Sequence, residues 1–245
     1  MDVAPAPRAA DLAELVRAFI DTEIEPVEPA MLADVAARRA RGEDAWPPPA
    51  ALADLAAKAR AQGLWILFLP AWHGDARADR FGTDGGKGLT NTDYASIAEQ
   101  MGRSALAPLV FNCNAPDTGN MEVLLKYGTP EQQEQWLDPL LDGRIRSTFL
   151  MTEPGVASSD ATNMQATATL DGDEVVLDGR KWWSTGAGHP DCRIGVFMGL
   201  TDPSAHRHRQ HSMVLVPLDA SGVTVERMLT APGQYDEPLG HGQVN

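Results

Sequence analysis

Hydrophobic spacing changes period once along this chain, near Ser147, and that change constrains the fold more than any other feature. Before it, apolar residues recur three and four positions apart. Leu12, Leu15, Val16, Phe19 and Ile20 form one such stripe within residues 9–24, and Pro26 ends it. A second helix is expected over 29–41, with Gly42 just past its end, and a third from Pro47-Pro48-Pro49 to Gly63. The apolar run 64–69 then enters the core as a loop. Residues 73–88, rich in Gly and Asp, read as an exposed loop. Their Gly85-Gly86-Lys87-Gly88 lacks the strand and the closing Lys-Ser/Thr of a phosphate loop. Asn91 or Thr92 is placed to cap a helix carrying Tyr94, Ile97, Ala98 and Met101. Asp117 and Thr118 precede a short helix ending at Gly128, and Thr129-Pro130-Glu131-Gln132 is a capping box whose helix stops at Gly143. Residues 1–147 are therefore predicted to form an all-α domain.

After Ser147 the period is two. Residues 164–170 alternate, Asp171-Gly172 turns the chain, 174–177 runs back, and Asp178-Gly179 is a hairpin signal before a strand over 180–185. Further strands are expected at 193–200, 212–218 and 223–228. Short strands separated by turn residues predict an antiparallel β-barrel or sandwich over 148–245, hence an α+β chain of two domains.

Composition narrows the function classes. At 43% apolar and 22% charged residues, the chain has the balance of a soluble globular protein. A formal charge of −14 argues against a nucleic-acid surface. The start MDVAPAPRAADLAEL has neither the basic nor the apolar region of a signal peptide, and no run is long enough to span a bilayer. Cys113 and Cys192, far apart in different kinds of segment, do not suggest a disulfide framework, so a cytoplasmic protein with reduced thiols is expected.

The chemistry concentrates where helix gives way to sheet. STFLMTEPGVASSDATN (147–163) is a polar turn in which Pro fixes φ and hydroxyls and backbone N–H groups can converge on a polar atom. GRKWWSTGAG (179–188) sets Trp182 and Trp183 before Ser184 and Thr185. Strand alternation would send the two indoles to opposite faces. One indole wall beside hydroxyl donors suits a flat ligand with an apolar face and a polar rim, such as a flavin.

Taken together, MTEPGVASSDATN and DGRKWWSTGAG resemble the middle domain of acyl-CoA dehydrogenases, and most closely the long, multidomain members acting on 4-hydroxyacyl-CoA. The resemblance extends to GLTNTDYASIAEQMGRSALAPLVFNCNAPDTGNMEVLLKYG upstream and RHRQHSMVLVPL downstream, so it covers the chain from about Trp46 onward. It implies an FAD site in which Thr152 hydrogen-bonds the pyrimidine side of the ring, Trp183 packs on it and Thr185 reaches N5. Backbone groups around Phe149, Met151 and Ser184 complete the pocket. A serine of the turn would contact the phosphopantetheine arm of the acyl-CoA. The turn TEPGVASSD is one residue longer than the common TEPGAGSD, so Ser158 and Ser159 compete for this role, and the longer turn of the subgroup favours Ser159.

Glu153 lies beside the motif but is not the family's base, which belongs to a C-terminal helical domain. The chain's last residues resemble the start of a middle-domain strand, so that third domain and the base are expected to lie outside it, and no residue here is assigned a catalytic role. The resemblance further implies an electron-transferring flavoprotein as acceptor and a homodimer or homotetramer. An acyl-CoA oxidase of the same fold, or a non-catalytic assembly partner of a complete subunit, are the alternatives. His206, His208 and His211 have no carboxylate or thiol close in sequence and read as a basic loop rather than a metal site. Arg207 and Arg209 in that loop are candidates for holding CoA phosphates.

Overall fold

A computed structural model of the chain describes residues 4–69 and 89–245; the loop expected at 73–88, with its Gly85–Gly88 segment, lies outside them. Two compact units divide between Arg144 and Ile145. In the first, the longer helices are Pro7–Phe19, Glu28–Ala40, Ala50–Ala61, Asn91–Met101 and Asp117–Tyr127. Pro7–Phe19 continues into a wider π turn, Ile20–Ile24, which keeps Leu12, Val16, Phe19, Ile20 and Ile24 on one buried stripe. Leu15, expected in that stripe, is 54% exposed instead.

The cap at Asn91–Met101 also differs from expectation. Thr90, not Asn91 or Thr92, accepts the Asp93 N–H at 3.2 Å, and the Asp93 carboxylate accepts the Thr90 N–H at 3.0 Å. A capping box needs an acceptor three residues downstream of the hydroxyl, and Asp93 provides it for Thr90. The second box, Thr129 with Gln132, forms as predicted. Residues 64–69 are buried as a loop, pinned by the Ile66 N–H to the Phe111 carbonyl (3.0 Å) and by Trp65 Nε1–H to the Leu141 carbonyl (2.9 Å).

The second unit contains β1 (Arg146–Leu150), β2 (Thr167–Asp171), β3 (Glu174–Asp178), β4 (Lys181–Thr185), β5 (Cys192–Leu200), β6 (His211–Pro217), β7 (Val225–Leu229) and β8 (His241–Val244). One sheet runs β1-β5-β2-β3 with β6 on β5; the other runs β4-β8-β7. Most pairings are antiparallel, but β1 and β2 both lie parallel to β5. Leu150, Ala166, Ala168, Ala187, Phe197, Val216 and Val244, drawn from both sheets and their connections, form a shared core. Helical domain first and sheet domain second is the predicted architecture. Among the described residues, no helix is long and apolar enough to cross a membrane, and both cysteines are buried and outside any disulfide.

Asp178-Gly179 does not make the expected hairpin. β3 pairs with β2 around the Gly172 turn, and the chain then passes into the other sheet, where β4 pairs with β8. Gly179 sits at φ +154°, and a Cβ there would come within 2.4 Å of the Ala166 Cβ. Glycine is required at this sheet-to-sheet corner by contact as well as by backbone. Gly179→Ala should therefore lower the stability of the second unit by about 1–3 kcal/mol, the usual cost of overpacking. Gly172→Ala, where the added methyl meets open space, should cost about 1 kcal/mol from backbone strain. Urea midpoints of the two variants would rank them, and equal midpoints would refute the packing argument.

Candidate functional site

β1 and the segment after it run beside β4, and three hydrogen bonds fix that juxtaposition. The Thr148 hydroxyl donates to the Thr185 carbonyl at 2.8 Å, the Trp182 N–H to the Thr152 carbonyl at 2.9 Å, and the Lys181 ammonium to the Met151 carbonyl at 3.0 Å. The two halves of the motif, about thirty residues apart in sequence, thus become one surface. Phe149, Met151 and Thr152 are half-buried on it, Ser184 is buried, and Thr185 is half-buried.

The Lys181–Glu153 ion pair lies beneath this surface. Lys181 is 1% exposed, and its ammonium also contacts Glu153 Oε1 (2.8 Å) and the Met198 carbonyl (2.8 Å) and stands 4.8 Å over the Phe197 ring. The Glu153 carboxylate additionally accepts the N–H groups of Gln165 (2.8 Å) and Ala166 (3.0 Å). Burial pushes the Glu153 pKa up, but the Lys181 hydrogen bond and the two backbone donors outweigh it and hold the carboxyl below its ordinary range. Burial draws the Lys181 pKa down against the opposing pull of Glu153. The geometry makes Glu153 a buried structural staple. Lys181 was missed in the sequence, where its place in the strand GRKWWST was the available signal.

Trp182 and Trp183 do not point to opposite faces. The β4–β8 register shifts between Lys181 and Ser184, a bulge, and Trp183 adopts φ +53°. That breaks the alternation and leaves the two indoles 6.0 Å apart between centroids, tilted by 57°. Trp183 remains 39% exposed. A bulky residue in the left-handed region is strained by about 1–3 kcal/mol, and here the strain presents an indole to the outside.

The hydroxyls divide by what they bind. Ser158 is buried inside the turn, where its oxygen accepts the Glu153 N–H at 2.9 Å; Ser159 is exposed. Among the described residues, Ser184 Oγ is buried with no hydrogen-bond partner. The Thr185 hydroxyl lies 2.9 Å from His241 Nδ1 on β8, a residue the sequence reading did not single out. Arg207 contacts Asp160 (3.0 Å) and the Thr162 hydroxyl (2.5 Å), which ties the HRHRQH segment to the polar turn. Among the described residues, no cluster of three or more His, Cys, Asp or Glu side chains could hold a metal.

The N-terminal-domain model of the acyl-CoA dehydrogenases matches residues 7–144, and the middle-domain model matches residues 148–245. Acyl-CoA dehydrogenase family member 10 of Mus musculus is 47% identical over 239 residues, which cover 98% of this chain and 21% of that protein. Family member 11 of Gallus gallus is 48% identical over 232 residues, 94% of this chain and 28% of that protein. A solved structure from Mycobacterium abscessus, assigned to the acyl-CoA dehydrogenases, superposes with a TM-score of 0.89 at 59% identity, covering 99% of this chain and 58% of that one. A glutaryl-CoA dehydrogenase from Mycobacterium smegmatis, solved in complex with FADH2, shares the fold at 20% identity and a TM-score of 0.66, covering 98% of this chain and 52% of that one. The chain thus spans between about a fifth and three fifths of these relatives' lengths.

Glu153→Gln should leave Lys181 buried beside a neutral partner and cost about 3 kcal/mol in urea unfolding, and adding Lys181→Met should restore part of that loss. The pH dependence has a definite sign. A carboxyl depressed in the folded state stabilises fully above its ordinary value near 4.5 and loses that contribution as pH falls through the folded value. The variant's stability should accordingly fall less steeply than the wild type's below about pH 4.5; parallel acid limbs would show that the pair does not carry this term.

Proposed function

The chain belongs to the acyl-CoA dehydrogenase family, and from that premise we propose that residues 148–245 carry the flavin half-site of a protein that desaturates acyl-CoA thioesters. The family is FAD-dependent, and FAD bound here would accept the hydride that leaves the β-carbon while a base takes the α-proton. The observation that carries the reading is Trp183: a strained backbone at φ +53° that leaves a large aromatic face open to solvent. Strain of this kind persists where function uses it.

The residues present fit a flavin. Trp183 supplies an apolar face, and Ser184 Oγ is a buried polar atom the fold leaves unpaired, at a cost of about 1–3 kcal/mol unless a ligand or water meets it. In this reading Thr152 takes the pyrimidine edge, Thr185 the N5 edge, and the backbone around Phe149, Met151 and Ser184 the remaining ring polar groups. Ser159 is favoured over Ser158 for the phosphopantetheine arm, because Ser158 is already engaged with Glu153. Arg207, held against Asp160 beside that turn, and Arg209 after it supply positive charge for the CoA phosphates. An electron-transferring flavoprotein as acceptor, a homo-oligomeric whole protein and a medium-to-long, 4-hydroxylated acyl chain belong to the same proposal.

Incubating the purified chain with FAD, followed by gel filtration, tests the half-site. Co-eluting visible absorption with quenched flavin fluorescence is expected. Trp183→Gly should abolish it without lowering the unfolding midpoint, because glycine relieves the positive φ. Uptake unchanged in that variant would remove Trp183 from the site. In a whole protein, Arg207→Gln with Arg209→Gln should raise KM for the acyl-CoA with little change in kcat; an unchanged KM would exclude the phosphate role.

A further inference from the structure

Thr185 on β4 and His241 on β8 are directly opposed in the antiparallel register, and their side chains meet at 2.9 Å between Oγ1 and Nδ1. The other ring nitrogen, Nε2, stands 3.5 Å from Asp236 Oδ2. The imidazole is held on several sides. Trp183 lies 6.1 Å away ring to ring, and Leu229 of β7 is its partner in the other register. The chain around Asp236 is closed by the Gly240 N–H donating to the Asp236 carbonyl (2.5 Å). The Gly186 and Gly188 N–H groups donate to the Gly240 and Leu239 carbonyls (3.1 and 2.9 Å) and tie this turn to the end of β4.

A carboxylate at Nε2 favours the tautomer with the proton on that nitrogen, and a neutral ring then has a bare, accepting Nδ1. The group facing Nδ1 is the Thr185 hydroxyl, which in that tautomer is the donor of this contact. We propose that Asp236 and His241 form a positioning pair that draws the Thr185 hydroxyl hydrogen toward Nδ1, so that Thr185 presents oxygen lone pairs to a ligand at this end of β4. Thr185 is thereby an acceptor for a ligand N–H. This rests on the flavin reading above and deepens it. An acceptor at the N5 edge suits the reduced ring, whose N5 carries hydrogen, and disfavours the oxidised ring, whose N5 is itself an acceptor. The pair therefore biases the site toward reduced flavin and raises its potential.

The contact can be tested without cofactor. In the folded chain labelled with 15N-histidine, the His241 resonances are identified by their loss in His241→Gln, and the other histidines report that each variant is folded. Expected are a protonated Nε2 and a bare Nδ1. The Nδ1 resonance should move toward the free-nitrogen position in Thr185→Val and return in Thr185→Ser, and the Nε2–H preference should weaken in Asp236→Asn. A protonated Nδ1, or an Nδ1 that ignores Thr185→Val, overturns the proposal. With FAD bound, equilibration against a reference dye should show a more negative potential in Thr185→Val and in His241→Phe than in wild type, with Thr185→Ser close to wild type. Unchanged potentials alongside the expected histidine spectra would overturn the bias toward reduced flavin. A wild-type chain that takes up no FAD would instead overturn the flavin reading, while the histidine spectra still decide the Thr185–His241–Asp236 contact.

Discussion

The Lys181–Glu153 ion pair is the constraint on which the second unit's surface depends. A lone buried charge would cost several kcal/mol, and here neither charge is alone. Lys181 finds one carboxylate and two carbonyls, and Glu153 finds one ammonium and two backbone N–H groups. These partners come from the polar turn, from the approach to β2, from β4 and from β5. One saturated polar knot thus sets the distance between the turn after β1 and the strand bearing the tryptophans. A hydrophobic pair in its place could pack as tightly, but it would not specify which carbonyl meets which strand.

With that distance fixed, β4 can carry a bulge without losing its place. The register shift between Lys181 and Ser184 confines the irregularity to Trp182 and Trp183, while Lys181 below and Thr185 above keep their partners Val244 and His241. Strain at Trp183 is then sustained by well-bonded neighbours on both sides. The same local irregularity puts Trp183 near His241 and leaves its indole outward, so one backbone departure serves both the apolar wall and the imidazole beside Thr185.

Much of this was legible in the sequence because it depends on period and turn chemistry. The switch from helical to alternating spacing near Ser147, the box at Thr129–Gln132 and the buried loop at 64–69 all follow from local rules. The misses are long-range. Asp178-Gly179 has a hairpin's composition, but the packing of Gly179 on Ala166 turns the chain into a second sheet, and no dipeptide encodes that. Alternation placed the two indoles apart, whereas the bulge arises from pairing with β8, nearly sixty residues later. Thr90 rather than Asn91 or Thr92 as cap was readable, since Asp93 sits three residues on. His241 was not, because its meaning comes from the strand across from it.

The turn at 152–163 shows how a small segment can be both rigid and available. Its rigidity comes from groups that bond inward: Ser158 to the Glu153 backbone, Glu153 to the start of β2, and Asp160 to Thr162 and Arg207. Its availability comes from the groups left over, the exposed Ser159 and the half-buried Thr152. Had the hydroxyl at 158 been the free one, the Glu153 N–H would lose its acceptor, and binding a ligand would compete with holding the turn. With two adjacent serines, one hydroxyl holds the turn and the other stays exposed. On the flavin reading proposed above, the exposed Ser159 oxygen would exchange water for a ligand while Ser158 stays bonded to Glu153, so recognition there would carry little reorganisation cost.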